Sequence, residues 1–461
     1  MVIRSRVVFG LVGAVCLASS VLPAQAETLM EALALAYSNN PQLNIARANL
    51  RASDEGVGIA AGAGRAKING SGTIGRSYSG YAYPESQASA TKTFYNTPSS
   101  FGITLVQPLY AGGQIEAGRN QADAAVRAQR EALRAAEGTV LLAAATAYMD
   151  VQRDTALVSL QESNVKFLTE QVRAAKDRFG VGEGTQTDVA QAEASYQLAV
   201  SQLHAARAQL NASRANYRQA IGRDPGKLGG GGGVDKLVPK SMEQAVVAAQ
   251  AENPQILAGI HNVDVATHNV KYVEGALLPQ LNAQAGANRA FDNPQYKAAN
   301  SASIGLNLTV PIYQGGGEYA KVRQAKEQLG AARLQVDLAR DQTRASVVSA
   351  WGSLQAANAS ILAYTAQVEA AQLALNGVME EQRVGQRTTL DVLNQQTTLI
   401  SARSNLVNAE RSRVVGSYQL VAAIGRLDID KLGVRIATYD PAQHYDQVKD
   451  QWIGLRTPDG Q

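Results

Sequence analysis

Pro108-Leu109-Tyr110-Ala111-Gly112-Gly113 recurs 203 residues later as Pro311-Ile312-Tyr313-Gln314-Gly315-Gly316. The same offset carries Gln121-Ala122 onto Gln324-Ala325 and Ala147-Tyr148 onto Ala350-Trp351. It also carries Asp188-Val189 onto Asp391-Val392 and Ile221-Gly222-Arg223 onto Ile424-Gly425-Arg426. Register held over roughly 120 residues identifies an internal repeat. Upstream, Asn40-Pro41-Gln42 returns as Asn253-Pro254-Gln255 at an offset of 213, so an insertion or deletion lies between Pro41 and Pro108. The chain is a duplication, which overturns the prior of about three domains that 461 residues would carry at roughly 150 residues each.

The expected organisation follows. Residues 1–26 read as a signal peptide: Arg4 and Arg6 supply the basic start, Val7 to Leu22 the apolar stretch, and Ala24-Gln25-Ala26 the cleavage site. A membrane anchor would need a longer apolar run. A lipobox would need a small residue directly before Cys16, where Val15 stands. The first repeat spans 27–223, with a helix broken near Asn40-Pro41, a β-hairpin at about 67–110, a long helix at about 112–180 and a helix at about 185–222. A glycine-rich linker covers 224–240. The second repeat covers 241–427, with its hairpin at about 278–313, long helix at about 315–382 and helix at about 388–425; 428–461 is a tail without counterpart.

Composition excludes several classes. Hydrophobic residues make up 45%, charged residues 18% and aromatics 5%, which is neither a disordered polyelectrolyte nor a chain with an aromatic core. The formal charge of +4 falls to +2 once the two leader arginines are removed, and no Lys/Arg run marks a nucleic-acid footprint, so no nucleic-acid partner is expected. Cys16 is the single cysteine, so disulfide frameworks and cysteine-based zinc sites are excluded. Beyond position 26 no run of about 18 apolar residues predicts a transmembrane helix.

Periodicity gives the architecture. Ile304, Leu306, Leu308 and Val310 alternate with Ser303, Gly305, Asn307 and Thr309; Leu281, Ala283, Ala285 and Ala287 alternate with Asn282, Gln284, Gly286 and Asn288. Such strands have one apolar and one polar face, as in a soluble hairpin on a core or a membrane barrel with water inside. Four strands cannot close a barrel and open edges cannot face lipid, so a membrane placement demands an oligomer. In the long helix, Val126, Leu133, Val140 and Ala147 step by sevens, then the series restarts at Val151, Val158, Val165, Val172 and Phe179. Leu329, Val336, Thr343, Ala350, then Leu354, Ile361, Val368, Leu375 and Gln382 repeat it. The four-residue step is a stutter that locally unwinds a left-handed coil. At 1.5 Å per residue the helix reaches roughly 100 Å, and two shorter helices end to end can flank it. Abundant Ala and Ser favour a hollow helical tube over a solid bundle.

In its Ala-x-x-Asn-Pro-type starts (Ala36 to Leu43, Ala249 to Ile256), its Gln107-to-Gly113 and Val310-to-Gly316 strand-to-helix joints, and its tips Arg178 to Thr185 and Arg383 to Thr388, the chain resembles a TolC-type outer-membrane efflux protein, of the unlipidated kind, over nearly its whole mature length. Each motif is modest alone; in this order, twice, they are specific. The resemblance implies a mainly α fold with a membrane β-barrel: a homotrimer whose twelve-strand barrel continues as a twelve-helix periplasmic α-barrel. It implies a passive exit duct for multidrug efflux, type I protein secretion or both. Its partners would be outer-membrane lipid, a periplasmic adaptor (membrane-fusion) protein and an inner-membrane transporter, ABC-type or proton-driven. The competing reading is a trimeric coiled-coil surface fibre or adhesin, which duplicated hairpins and helix-tip turns disfavour.

Functional residues are expected at the helix tips. Val181, Gly182, Thr185, Val384, Gly385 and Thr388 form exposed turns of small residues suited to docking an adaptor's helical hairpin. The resemblance maps Asp188 and Arg387 onto an acid and a base that tie neighbouring helices shut, and Asp391 onto an acid lining the constriction. Asn394 stands where some members have a second Asp, and Gln382 where the family often has Tyr. No enzymatic site, cofactor or metal is expected. Gly70-Ser71-Gly72-Thr73-Ile74-Gly75 matches a dinucleotide fingerprint but lies inside a hairpin with no βαβ unit, and no phosphate-binding Gly-x-x-x-x-Gly-Lys-Ser/Thr occurs. His261 and His268 stand seven apart on a helix with no acidic or cysteine partner expected, and Arg127, Arg130, Glu131 and Arg134 read as a solvated face.

Overall fold

The computed structural model describes residues 26–81, 92–293 and 296–458. The leader expected over 1–26 lies outside them up to residue 25. The first half contains α1 (Leu29–Asn39), α2 (Pro41–Gly62), strands β1 (Lys67–Ile74), β2 (Ser77–Tyr81), β3 (Lys92–Asn96) and β4 (Ser99–Ala111), then α3 (Gln114–Gly180) and α4 (Gln186–Ile221). The second contains α5 (Met242–Glu252), α6 (Pro254–Gly275), β5 (Gln280–Asn293), β6 (Tyr296–Thr309), α7 (Gly317–Arg383) and α8 (Thr389–Ile424), followed by α9 (Gln443–Val448).

The duplication holds residue for residue in the helices. Helices α3 and α7 both have 67 residues, α4 and α8 both 36, and α2 and α6 both 22. The ten-residue change of offset therefore falls in the hairpins. The first hairpin is the longer one, and it bends at Gly75 and Pro98 into a separate two-stranded ribbon of β2 and β3. There the Gly75 N–H donates to the Pro98 carbonyl at 3.0 Å, and the Thr97 N–H donates to Asp292 Oδ2 at 2.5 Å. Pro98 has no N–H to continue a ladder, which is why the strand breaks there.

The Asn-Pro motif has a double task. Asn40 caps α2, accepting from the Gln42 N–H at 2.8 Å, and donates through Nδ2 to the Ala220 carbonyl at 3.0 Å near the end of α4. Asn253 repeats both bonds, with Gln255 at 2.9 Å and Ala423 at 2.9 Å. Pro41 and Pro254 occupy the first helical turn, where a missing N–H costs nothing. Each motif thus stacks a sheet-proximal helix on the end of a distal one.

Six of the helices form one layer with two storeys, and α1, α5 and α9 pack against it. Near the sheet the lateral order is α2, α3, α6, α7; at the far end it is α4, α3, α8, α7. Only α3 and α7 run through both storeys. The sheet repeats this sequence, with order β1, β4, β5, β6, all antiparallel. Every strand continues the helix beneath it: α2 runs into β1, β4 into α3, α6 into β5 and β6 into α7.

The largest core lies where the storeys meet. Leu33, Leu50, Leu141, Tyr148, Tyr217 and Tyr418 are fully or almost fully enclosed there. The heptad positions Val126, Leu133, Val140, Ala147 and Val151 are buried, while Phe179 at the tip is half exposed. Glu27 sits at the start of this core. Its carboxylate meets Arg223 and accepts from the Tyr217 hydroxyl, each at 2.7 Å, and its N–H donates to the Lys227 carbonyl at 2.9 Å. Residues 428–458 return along the first half, where Leu427 and Ile429 join the core and the Tyr445 hydroxyl donates to Asp123 at 2.9 Å.

Candidate functional site

The sheet separates its residues by chemistry, and the pairing register shows how. Directly paired residues point to the same side, so Ile68, Leu105, Ala285 and Ile304 form one row. Ile103, Ala287 and Ala302 lie above it on the same side, and Ala283 with Leu306 and Leu281 with Leu308 below. The opposite face carries Asn69, Thr104, Gly286 and Ser303, then Ser71, Gly102, Asn288 and Ser301. A bulge between Pro108 and Tyr110 shifts Tyr110 into the apolar row of Leu281 and Leu308. Ile304 is 89% exposed and Leu306 70%, so no described residue covers this face. Gly72 lies under the Phe101 ring, where a Cβ would sit 3.4 Å from it; this glycine serves strand packing, not phosphate binding. Both edges, β1 and β6, lack a partner among the described residues.

The far end of the layer holds the two tips. Helix α3 ends in a tight turn in which Gly182 takes φ +81° and the Glu183 N–H donates to the Arg178 carbonyl at 2.9 Å. The second tip matches it, with Gly385 at φ +79° and the Gln386 N–H donating to the Glu381 carbonyl at 2.9 Å. A left-handed residue closing a helix is the usual use of glycine. Helices α4 and α8 then start with reciprocal caps. Thr185 Oγ1 accepts from the Asp188 N–H at 3.1 Å, and Asp188 Oδ2 accepts from the Thr185 N–H at 3.0 Å. Thr388 and Asp391 repeat this at 3.2 Å and 2.9 Å. The hydroxyl and N–H of Thr185 hold the Asp188 carboxyl below its ordinary range, with a smaller push from Arg178. For Asp391 the Thr388 N–H leads, followed by its hydroxyl and the Arg387 charge. Both acids are therefore ionised at neutral pH.

Within one chain the structure does not bring Asp188 and Arg387 together. Arg387 Nε meets Glu381 Oε2 at 2.8 Å, which raises the guanidinium pKa further, and Asp188 is held by Thr185. Gln382 donates to the Thr389 hydroxyl at 3.2 Å, and Asn394 is exposed on the first turns of α8. Val181 and Val384 are 72% and 71% exposed, so both tips present an apolar side chain to water.

Sequence reading missed the polar ties that join neighbouring helices. Gln396 Nε2 donates to buried Asn164 Oδ1 at 2.9 Å, linking α8 to α3. The Ser213 hydroxyl donates to buried Asp154 at 2.5 Å, and Arg153 meets the same carboxylate at 2.7 Å. Arg411 meets Asp150 at 2.9 Å. A sequence signal existed for Asp154, which stands three residues after the heptad position Val151 on the same face of α3, and none for Asn164. His261 needs correction, because Asp264 one turn on stands 3.5 Å from its Nδ1. Among the described residues no group of three His, Cys, Asp or Glu could hold a metal, and no helix is long and apolar enough to cross a membrane.

The description "Outer membrane efflux protein" belongs to the family model that matches this chain twice, over residues 32–223 and 245–426. The two matches fall on the two halves. Outer membrane efflux protein BepC of Brucella suis is 46% identical over 97% of this chain and 96% of its own length. Outer membrane protein TolC of Escherichia coli is 26% identical over 88% of this chain and 83% of its own length. Among solved structures, the CmeC outer membrane channel of Campylobacter jejuni superposes with a TM-score of 0.78 at 16% identity, covering 92% of this chain and 89% of that one. At that identity the superposition speaks for the fold.

Proposed function

From the premise that the chain belongs to the outer membrane efflux protein family, and is an outer-membrane efflux protein, we propose that three copies close into a single duct across outer membrane and periplasm. One observation carries this reading. Four strands stand on four helices in the same lateral order, with an apolar face, a polar face and both edges open. Three such units join β6 of one copy to β1 of the next, which removes every edge from lipid. The apolar rows then meet lipid and the polar rows line water. The helices extend the same wall, and an α-barrel of twelve helices follows from four per storey in each copy.

The duct is passive. Neither a nucleotide-binding loop nor a catalytic constellation is part of the reading, so the energy for export comes from an inner-membrane transporter coupled through a periplasmic adaptor. The tips are the docking surface, supported by exposed Val181 and Val384 beside the turn glycines Gly182 and Gly385, with Thr185 and Thr388 starting the return helices. Asp188, Arg387, Asp391 and Asn394 gather at the same end, where three copies bring ionised Asp391 side chains around one axis. Planar-bilayer recording tests the duct: purified protein opens ion-conducting pores, whereas a fibre would leave the bilayer silent. Replacing both Gly182 and Gly385 with bulky residues tests the docking surface, and is expected to abolish export while trimers still assemble. Normal export by that double variant would remove the tips from the docking role.

A further inference from the structure

The tail runs along α2 toward the sheet, and its last described residues reach the level where the sheet begins. His444 Nδ1 stands 3.1 Å from buried Asp54 Oδ2. One turn on, a Cβ at Gly58 would lie 3.5 Å from the Val448 carbonyl. Further on, Arg65 Nη1 donates to the Gln451 carbonyl at 2.8 Å, and its guanidinium lies 4.5 Å from the centre of the Trp452 ring. Positions 54, 58 and 65 of α2 and its exit thus meet 444, 448 and 451 in order, and Arg65 is two residues before β1. The segment that arrives there is apolar and uncovered: Trp452 is 72% exposed, Ile453 92% and Leu455 104%. Exposed Arg456 follows, and exposed Asp450 precedes it.

Three large apolar side chains within four residues, bare at the base of a membrane sheet, need a covering. Gln107, paired with Ala283 on the apolar side of the sheet, donates to the Gly64 carbonyl at 3.0 Å. The exit of α2 that carries Arg65 and the patch therefore lies by the lower end of the sheet's apolar face, near Leu308 and Tyr110. We infer that residues 452–455 insert into the periplasmic-leaflet interface of the outer membrane, making the tail a second membrane contact beside the barrel. The ligand is phospholipid. Trp452 sits at headgroup depth, where indole rings concentrate. Ile453 and Leu455 enter the acyl boundary, and Arg65 and Arg456 face lipid phosphate. The tail's tie to α2 then makes it a strut between the bilayer and the core where the two storeys meet.

The inference rests on the sheet standing in the outer membrane, and the experiment separates the two. The chain has two tryptophans, and Trp351 lies roughly 50 Å along α7 from the sheet at 1.5 Å per residue. Full-length Trp351→Phe protein is reconstituted into phosphatidylethanolamine/phosphatidylglycerol vesicles carrying bromine on acyl carbons near the headgroup. Expected is loss of Trp452 emission to the brominated lipid and little loss to aqueous iodide. A parallel protein with Trp351→Phe, Trp452→Phe and Ile304→Trp reports the outer face of the sheet. If Ile304→Trp is quenched and Trp452 is not, the tail does not touch lipid and the inference fails alone. Quenching of Trp452 by iodide but not by lipid overturns it in favour of an aqueous or protein-facing tail. If neither probe is quenched, the membrane placement of the sheet fails and the inference with it.

Discussion

Gly112 and Gly315 occupy equivalent joints, take nearly the same backbone angle, φ +61° and +69°, and meet different surroundings. A Cβ on Gly112 would lie 2.2 Å from the Gly275 carbonyl oxygen, and one on Gly275 would lie 2.6 Å from that of Gly112. At Gly315, and at Gly62, the counterpart of Gly275, nothing lies within 4 Å. The first joint is closed by the second half of the same chain. The second is open, and in the proposed trimer its partner, by the repeat, is the first half of another copy. On that proposal, what packs α6 against α3 inside the chain is a template for what packs α2 of the next copy against α7. In the proposed trimer the exposed Leu334 and Leu338 of α7, and Ile45 and Ile59 of α2, are the two unfilled sides of that contact.

The sharpest way to break the comparison is to add one methyl at each member of the glycine pair. Gly275→Ala drives a Cβ into backbone and is expected to cost about 3 kcal/mol or more, lowering the yield and melting temperature of the protomer itself. Gly62→Ala sits at an unstrained helical position, so the protomer keeps its fold, and the oligomer is lost instead. Light scattering of the detergent-solubilised proteins distinguishes them. Intact trimers with Gly62→Ala would show that the edges do not meet as the internal joint does.

The halves also differ in what the tail can grip. Asp54, Asp123 and Glu137 receive it, and their counterparts are Thr267, Lys326 and Arg340. Glu137 accepts from the Ile429 N–H at 2.8 Å, whereas Arg340 is half exposed and pairs with Asp337 at 3.2 Å. Burial pushes the Glu137 carboxyl up from 4.5 to about 7; the Ile429 bond and Arg47 oppose the shift, and Asp428 and Asp430 add to it. An acid with a raised folded pKa favours the folded state in its protonated form. No penalty exists below pH 4.5; it grows between 4.5 and 7 and is complete above. The tail should grip most tightly in acid and loosen by about 3 kcal/mol at most as pH rises through 7. Hydrogen exchange at the Ile429 amide reads this directly. In Glu137→Gln the exchange, corrected for its intrinsic pH dependence, should be flat; a wild-type-like slope would assign the titration to another group.

A smaller effect is expected at Glu27. Glu27 is buried against Tyr217 and Arg223, and its carbonyl oxygen lies 2.7 Å from the hydroxyl of Tyr148, whose pKa burial pushes up to about 12. Its counterpart by offset, Lys240, is exposed. Glu27→Ala leaves the Tyr217 hydroxyl buried without its acceptor and should cost about 2 kcal/mol. It should also free the glycine-rich crossing, seen as faster tryptic cleavage at Lys227. Lys240→Ala should change neither readout. Equal effects would mean that the first half is not specially anchored.

Much of this was legible in the residues. The repeat, the alternation of Ile304, Leu306 and Leu308, and the heptad series with its stutter are local patterns that survive into the fold because each is buried or paired as its period requires. The tip turns were legible because a left-handed closure demands glycine. The tail's grip could have been found by setting the halves against each other, since three acids face Thr, Lys and Arg. The bend of the first hairpin at Pro98 and the tie from Gln396 to Asn164 could not. They depend on which strand and which helix become neighbours, and no spacing along one element encodes that.

The last comparison, with the smallest expected effect on stability, is between the two tips. Their backbones match, but Arg178 and Gly184 of the first stand where the second has Glu381 and Arg387. The second tip thus carries an ion pair of its own, half exposed on both sides, and the first does not. Such a pair is screened and contributes little to folding, so Arg387→Ser should leave the melting temperature unchanged. Its consequence would be in the closed duct. If Arg387 can exchange Glu381 for Asp188 of a neighbouring helix, removing it loosens the aperture and raises single-channel conductance, while Gly184→Ser in the first tip does nothing. Asp391→Ala separates charge from latch: it should weaken cation preference and block by divalent ions, with only the loss of one helix cap in the fold. Asp391→Asn keeps a side-chain oxygen to accept the Thr388 N–H, so it should restore the cap and not the cation preference. Unchanged conductance in Arg387→Ser together with unchanged selectivity in Asp391→Asn would place the constriction away from this tip, on α4 and α8 farther from the turns.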